Sequence, residues 1–295
     1  MSEALLLAEP IEDIAPPARF RALRRFLRHR LAMVGVVMIL LLLLGSFLGP
    51  HLYPFDDLRI DMRNRFQAPF MGPHWLGADP LGRDLMARLM TAGQVSLAVG
   101  FAAMILSTLV GTVIGAVAGF YGRVLGGALM RFVDAMLCFP NIFLLLTLAA
   151  FIQPGVWTIT AIIALTSWME VARVVEGQFK TLRERDFTIA AMMIGSSDAR
   201  IIFWEILPNA VAPIVVAATL NVARAILLES YVSFLGYGIQ PPLPSWGNML
   251  NSAQQYLTSA PWLAIFPGLA ITAAVTGFNF IGDGLRDALD PRLDA

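Results

Sequence analysis

The side chains that most often carry out chemistry are scarce and widely separated in this sequence. The three histidines, His29, His51 and His74, lie at least 22 residues apart, so none forms the i, i+4 pair that a helical zinc site would use. Cys138 is the only cysteine, which excludes an intrachain disulfide and a metal site built on several cysteines. Lys180 is the only lysine and does not lie in a G-x-x-x-x-G-K-[ST] loop, so the phosphate-binding loop of an ATPase is absent. We therefore expect neither a metal site nor ATP hydrolysis in this chain.

Other catalytic patterns are also missing. Neither G-x-S-x-G nor H-E-x-x-H occurs, and no pair of nucleophile and base stands out. The formal net charge is 0, from 21 Lys and Arg against 21 Asp and Glu, so the chain lacks the basic field that binds nucleic acid. We predict no catalytic residues, no cofactor-binding residues and no nucleic-acid partner.

Ionisable residues within the apolar stretches are the remaining candidates for function. They are Asp134, Glu170, Arg224, Glu229 and Asp283. A charge at the centre of a bilayer costs about 2.5–3.5 kcal/mol, so such residues mark packing, pairing or a substrate path. Arg224 and Glu229 lie deepest within their span. They are five residues apart, which places them about 140° apart around a helix. We expect each to contact a different neighbour, either as a structural contact or in the path of a transported substrate.

The elements that carry these residues are long and apolar. Of the 295 residues 57% are hydrophobic and 14% are charged, against about 45–50% and about 25% in soluble proteins, which indicates a membrane protein. Six stretches have the length of a spanning helix. They cover residues 31–50, 96–120, 132–153, 156–175, 208–237 and 262–282. Gly111, Gly115 and Gly119 form a small-residue stripe on the second stretch, which favours close helix packing.

The basic residues set the orientation. Six arginines precede the first span and place the N-terminus in the cytoplasm by the positive-inside rule. They are Arg19, Arg21, Arg24, Arg25, Arg28 and Arg30. With six crossings, 15 of the 21 Lys and Arg lie inside, five lie outside and Arg224 is within a span. The sequence therefore predicts an all-α membrane protein with six transmembrane helices and both termini in the cytoplasm.

The chain divides into three parts on this reading. Residues 1–30 form a cytoplasmic tail, residues 31–93 the first span with an extracytoplasmic segment, and residues 94–295 a five-helix core. The first span could instead belong to a cleaved signal peptide. The acidic leader residues Glu9 and Glu12, and the lack of a clear small-x-small cleavage site, favour an uncleaved span.

The third cytoplasmic loop reads RERDFTIAAMMIGSSDARIIFWEILPNAVAPI and predicts two short helices joined by a turn. Asp186 is a plausible N-cap, Gly195 suits the end of the first helix, Ser197 or Asp198 caps the second, and Pro208 ends it. Apolar residues lie on the water side of both helices. They are Ile189, Met192, Met193, Ile194, Ile201, Ile202, Phe203 and Trp204. This pattern indicates a docking element for a soluble partner, with packing beneath the bundle as the alternative.

This loop resembles the E-A-A-x(3)-G-x(9)-I-x-L-P motif of permease subunits of bacterial ABC importers. The matching residues are Ala190, Ala191, Gly195, Leu207 and Pro208. The segments HWLGADPLGRDLMARL, SFLGYGIQPPLPSWGNML and FNFIGDGLRDALDPRL, with the N-terminal RRFLRHRLAMVGVVMILLLLLGSFLGPHLYPF, resemble the C-type second permease of the dipeptide, oligopeptide and nickel branch. The resemblance covers nearly the whole chain.

The resemblance implies a type I ABC importer permease fold in the bacterial plasma (inner) membrane, with a coupling-helix hairpin at 186–208 that docks an ATPase. It implies a homologous second permease, two ATPase subunits that hold ATP and Mg²⁺, and an extracytoplasmic substrate-binding protein as partners. Di- or oligopeptides are the implied cargo, with nickel chelates or other small solutes as the alternative. No cofactor is expected in this chain itself.

Two positions depart from the family motif. Its Glu falls on Ile189 and its Ile falls on Glu205, so the polar contacts of those family residues are altered here. A different class of function, an ion-coupled secondary transporter, would need ionisable groups at the membrane midplane and usually inverted repeats. Only Arg224 and Glu229 meet the first condition, and no repeat is visible.

Overall fold

The fold is taken from a computed structural model, which describes residues 18–289, with side chains from residue 22 onward. The first 17 residues of the predicted tail and the last six residues of the chain lie outside this range. The helices are α1 (Ala18–Arg28), α2 (Arg30–Phe47), α3 (Gly49–Leu52), α4 (Leu85–Tyr121), α5 (Arg123–Leu137), α6 (Asn141–Phe151), α7 (Val156–Arg183), α8 (Asp186–Met193), α9 (Asp198–Arg200), α10 (Leu207–Phe234), α11 (Trp246–Ala253) and α12 (Trp262–Leu289).

Five helical runs in the described residues are long and apolar enough to cross a membrane. They are α2, α4, α7, the continuous run Asp198–Phe234, and α12. These runs confirm the first, second, fourth, fifth and sixth predicted spans. The predicted division at residues 93 and 94 falls inside α4.

The third predicted span is a bent pair of helices. α5 and α6 meet at 81° across a short break, so the predicted span over 132–153 is not one continuous helix. Pro140 explains the break, because proline lacks an N–H and disfavours helical geometry in the preceding residue, Phe139. The pair is apolar enough to count as one broken span, which brings the number of crossings to six.

α4 and α7 pack closely through the glycine stripe. Gly111, Gly115 and Gly119 all face α7, where a side chain would collide with its backbone; at Gly115 the obstacle is the carbonyl of Ala172. The three glycines therefore serve a contact within the subunit, in line with the helix-packing interpretation.

Pro208 does not end the second short helix, contrary to the prediction. The helix that begins at Asp198 passes through a wider π-helical turn, Ile201–Ile206, and continues into α10. In this turn the N–H of Leu207 donates to the carbonyl of Ile202, five residues back. The wide turn lets the helix carry a proline that would clash with the carbonyl four residues earlier in a regular helix.

Contacts at the two ends of the bundle agree with the predicted sidedness. At one end His29 Nε2 lies 3.4 Å from Asp287 Oδ2, so the start of α2 and the end of α12 meet there. At the other end the rings of Phe66 and Tyr256 lie 4.9 Å apart, which joins the segment before α4 to the loop around α11. We refer to these as the inner and outer ends.

Candidate functional site

The coupling segment, residues 186–208, is organised around a tight glycine turn. Gly195 has φ +78°, its N–H donates to Met192 O at 3.0 Å, and the N–H of Ser196 donates to Ala191 O at 3.1 Å. This pair of bonds is a Schellman motif, which needs a left-handed residue at the position of Gly195. The predicted turn is therefore confirmed. Asp186 is the first residue of α8 and not its N-cap, a position that Arg185 occupies.

One face of the coupling segment is anchored to the bundle. Thr188, Ala191, Ile201 and Ile206 are buried, the last three in a cluster with apolar residues of α4, α7 and α10. The hydroxyl of Thr188 also donates to Leu182 O at 2.8 Å. Since these contacts lie within the subunit, the segment is held firmly by the bundle below it.

The opposite face is exposed and apolar. Met193, Ile194, Phe203 and Trp204 expose 84%, 82%, 62% and 76% of their surface. Of the two alanines in the motif, Ala190 is exposed and Ala191 is buried, so only Ala190 can reach a partner. Leu207 is half-buried and Pro208 is exposed on the following turn.

A surface groove runs beside this apolar face. It has a volume of about 710 Å³ and is lined by Ala199, Arg200, Phe203, Trp204 and Glu205. Glu205 occupies the position where the family motif has Ile, so this groove carries a carboxylate beside the aromatic rings, together with the guanidinium of Arg200. A partner that fills it would need an apolar group and polar groups that match one charge of each sign.

Two ion pairs lie on the face formed by α5, α7 and α10. Arg224 on α10 pairs with Glu170 on α7, and Arg173, one turn further along α7, pairs with Asp134 on α5. All four side chains are about half exposed. We call these four residues the charged belt. Lipid is a poor environment for such charges, so this face suits an aqueous path or a protein partner.

Glu229 lies elsewhere, inside the subunit. Its side chain is fully buried, and the hydroxyls of Ser96 and Ser233 donate to its two oxygens at 2.9 and 2.8 Å. The Ser96 oxygen in turn accepts the N–H of Trp246 at 3.2 Å, which ties α4, α10 and α11 together. Arg224 and Glu229 thus contact different neighbours, as their helical offset predicts, and the contacts of Glu229 lie within the subunit.

Sequence reasoning missed the partners of these two residues. Ser233 lies four residues after Glu229, and helical spacing could have revealed it. Ser96 and Glu170 lie on other helices, and no local pattern connects them to Glu229 or Arg224. Asp134 and Glu170 were expected near water at the inner ends of their spans, and they are instead paired with arginines.

The described residues form a helical bundle with up to six crossings, an exposed apolar face at its inner end and charges on one membrane face, an architecture consistent with a membrane transport subunit. The sequence matches the family described as "Binding-protein-dependent transport system inner membrane component" over residues 111–295. Residues 20–69 match "N-terminal TM domain of oligopeptide transport permease C". The chain belongs to the family of binding-protein-dependent inner-membrane transport components, and is a multi-pass permease subunit of an ABC importer. Members of this family work with ATPase and binding-protein components, and ATP hydrolysis lies in the separate ATPase subunits.

Several relatives are similar over almost their whole length. A peptide permease protein of Brucella ovis is 43% identical over 276 residues, covering 93% of this chain and 91% of the relative. The dipeptide transport system permease protein DppC of Alkalihalophilus pseudofirmus is 40% identical over 272 residues, covering 92% and 89%. The oligopeptide transport system permease protein OppC of Bacillus subtilis is 36% identical over 272 residues, covering the same shares.

The fold is shared with a solved transporter. A chain of the MetNI methionine ABC transporter in an inward-facing conformation superposes with a TM-score of 0.57 and 18% identity, covering 70% of this chain and 98% of that chain. This similarity confirms the type I importer fold. Together with the family match, it leaves the ion-coupled secondary transporter without support.

Proposed function

We propose that this subunit forms half of an alternating-access pathway for di- or oligopeptides, in a heterodimer with a homologous second permease. The relatives named as peptide, dipeptide and oligopeptide permeases support this cargo, because each of them aligns with more than nine-tenths of the chain. Six crossings make a half-bundle that needs a second permease to enclose a path.

The observation that carries the proposal is the continuity of the exposed docking face with the membrane bundle. Phe203 and Trp204 lie near the start of a helical run of 37 residues, Asp198–Phe234, about 55 Å long. The far end of this run holds Glu229 and its contacts to α4 and α11. A partner that pushes on the inner end would therefore move the outer end as part of one rigid body.

In this mechanism an ATPase docks on the exposed side of the coupling segment. Met193, Ile194, Phe203 and Trp204 supply the apolar contact, Ala190 allows close approach, and Gly195 sets the angle between α8 and α9. Ala191, Leu207 and Pro208 shape the segment from within the subunit. ATP and Mg²⁺ bind in the ATPase subunits, and this chain holds no cofactor. The closing of the ATPase pair is thereby converted into a movement of the helical run.

The charged belt marks the wall of the path. Arg224, Glu170, Arg173 and Asp134 are half exposed within membrane helices, and facing lipid would cost several kcal/mol. We assign this face to the path between the two permeases. The alternating charges can hydrogen-bond the amides of a passing peptide.

Reconstitution in lipid vesicles tests the proposal. This chain, its second permease, the ATPases and the binding protein should together import a labelled tripeptide only when ATP is supplied, and omission of any component should abolish uptake. Transport by this chain alone, without ATP, would contradict the assignment. A nickel chelate added to the same vesicles distinguishes the alternative cargo, since uptake of the chelate and not of the peptide would overturn the peptide assignment.

A further inference from the structure

The outer end contains a cavity that the transport mechanism above does not use. It has a volume of about 340 Å³ and lies between the segment Asp79–Arg88 and the α11 region. Its lining is mainly polar, with an apolar part formed by Leu85, Met249 and Leu263. The polar side chains that matter here are Asp79, Arg83, Arg88, Asn251, Gln255 and Tyr256. A cavity of this size, with several polar groups that converge on it and some apolar lining, is large enough to hold a small polar ligand.

Arg88 is the unusual residue of this cavity. The residue is only 6% exposed, yet its guanidinium makes a single hydrogen bond to the described residues, from Nη1 to the backbone oxygen of Asp57 at a long 3.4 Å. Its Nε lies 3.8 Å from Asp79 Oδ2, which is beyond hydrogen-bond distance. A buried guanidinium normally has its donors matched by acceptors, so Arg88 retains donors for a further group.

The neighbouring carboxylate of Asp79 forms an ion pair with Arg88 at 3.8 Å but accepts no hydrogen bond from its guanidinium. Asp79 Oδ1 accepts the N–H groups of Leu81 and Arg83 at 2.8 and 2.9 Å, and Oδ2 accepts Arg83 Nε at 2.7 Å. Asp79 is therefore already engaged in holding its own turn and Arg83. Two guanidinium groups and one carboxylate line the cavity, so the lining side chains carry one excess positive charge.

We propose that this cavity binds the terminal carboxylate of a short peptide on the extracytoplasmic side. A guanidinium pairs with a carboxylate through two parallel hydrogen bonds, and the single excess charge matches a monoanion better than a phosphate dianion. The apolar part of the lining, which Leu85, Met249 and Leu263 form, accepts the C-terminal side chain. The peptide identity of the ligand rests on the proposed function, whereas the carboxylate site rests on the cavity itself.

Gln255→Glu provides the test, because replacing Arg88 itself could unfold the segment. Gln255 is exposed at the rim, so a carboxylate there should engage the arginines in place of the ligand without disturbing the fold. Gln254→Glu is the matched control, since Gln254 is exposed, adjacent and outside the cavity lining. Both variants add one negative charge to the same turn.

The first measurement uses the assembled transporter without its binding protein. N-acetylalanine and N-acetylalaninamide are titrated separately, and binding is followed as a rise in unfolding temperature. Wild type and Gln254→Glu should bind the carboxylate probe at least about tenfold more tightly than the amide, and Gln255→Glu should lose this difference. Equal binding of the two probes by wild type, or an unchanged preference in Gln255→Glu, would overturn the site.

The second measurement asks whether transport uses the site. Uptake of trialanine is compared with uptake of its C-terminal amide, using the same binding protein throughout, so that the binding protein's own preference cancels between variants. Gln255→Glu should raise the half-saturating concentration for trialanine about tenfold and leave that for the amide unchanged. An equal change for both peptides would overturn the inference. Carboxylate binding with no uptake of either peptide by wild type would instead overturn the proposed peptide cargo.

Discussion

The outer and inner ends of the bundle differ in the kind of side chain that they leave for other molecules. At the outer end Asp84 caps α4 through the N–H of Ala87 at 2.7 Å, accepts the hydroxyl of Tyr53 at 3.0 Å and lies 2.8 Å from His74 Nδ1. At the inner end the coupling segment is anchored by one face and leaves four large apolar side chains exposed. They are Met193, Ile194, Phe203 and Trp204.

The difference indicates how changes at the two ends should act. Asp84 holds the segment before α4, and Glu229 links α4, α10 and α11 through Ser96, so loss of either carboxylate should reduce the stability of the subunit. We call the contacts of these two carboxylates the outer network. Exposed apolar residues at the inner end make few contacts within the subunit, so changes there should leave its stability intact and affect docking.

The largest loss of stability is expected from Glu229→Ala. Its removal leaves the buried hydroxyls of Ser96 and Ser233 without their acceptor and opens a cavity, which should cost about 3–5 kcal/mol. Thermal unfolding of the purified subunit measures the loss. Leu227→Ala, a half-exposed position on the same helix, is the control and should cost less than about 1 kcal/mol. Similar unfolding temperatures for the two variants would contradict the claim that the hydrogen bonds of Glu229 stabilise the subunit.

A smaller loss is expected from Asp84→Ala. This change removes the N-cap of α4 and the hydrogen-bond partner of Tyr53 and His74, for a loss of about 2–4 kcal/mol. Asp56→Ala removes an exposed aspartate from the same segment and should change stability by less than about 0.5 kcal/mol. Limited proteolysis of residues 53–84, compared between the two variants, reports the loosening of this segment. Equal cleavage rates would show that Asp84 does not hold it.

The smallest loss in the outer network is expected from Tyr53→Phe, about 1 kcal/mol at neutral pH. Burial first, and then the nearby Asp84 carboxylate, raise the pKa of Tyr53 above its usual range. Because the pKa of Tyr53 is higher in the folded than in the unfolded protein, its hydroxyl stabilises the fold fully at pH values below the unfolded pKa. This stabilisation is lost as the pH rises from the unfolded pKa through the folded pKa. The difference in unfolding temperature between wild type and Tyr53→Phe should therefore shrink above about pH 10. A constant difference up to pH 11 would contradict this coupling.

The sequence predicted the features that depend on local pattern. Continuous apolar stretches identified five spans, and Gly195 identified the turn of the coupling segment, because each signal is contained within a few neighbouring residues. Pro140 also indicates the bend between α5 and α6, but the span over 132–153 was predicted from hydropathy alone. The π-helical turn before Pro208 was missed because a proline normally ends a helix.

Features that depend on distant pairings could not be predicted. The hydroxyl of Ser96 donates to Glu229, which is 133 residues away in the sequence, and the ion-pair partner of Arg224 is on another helix. Such pairs arise from the packing of α4, α7 and α10, which a single sequence does not specify. The same reason applies to the cavity around Arg88, since its two walls come from separate parts of the chain.

Docking of an ATPase at the inner end is the central claim, and one comparison tests it most directly. Trp204→Glu places a charge on the exposed apolar face, whereas Met71→Glu places the same charge at an equally exposed apolar position of the outer end. Each variant is purified gently with its partners, and the ATPase retained per permease is measured. Trp204→Glu should lower ATPase retention at least about tenfold with an unchanged unfolding temperature of the permease, since exposed tryptophans are frequent hot spots of interfaces. Met71→Glu should retain the ATPase as wild type does. Full retention in Trp204→Glu would contradict the assignment of the coupling segment as the docking site.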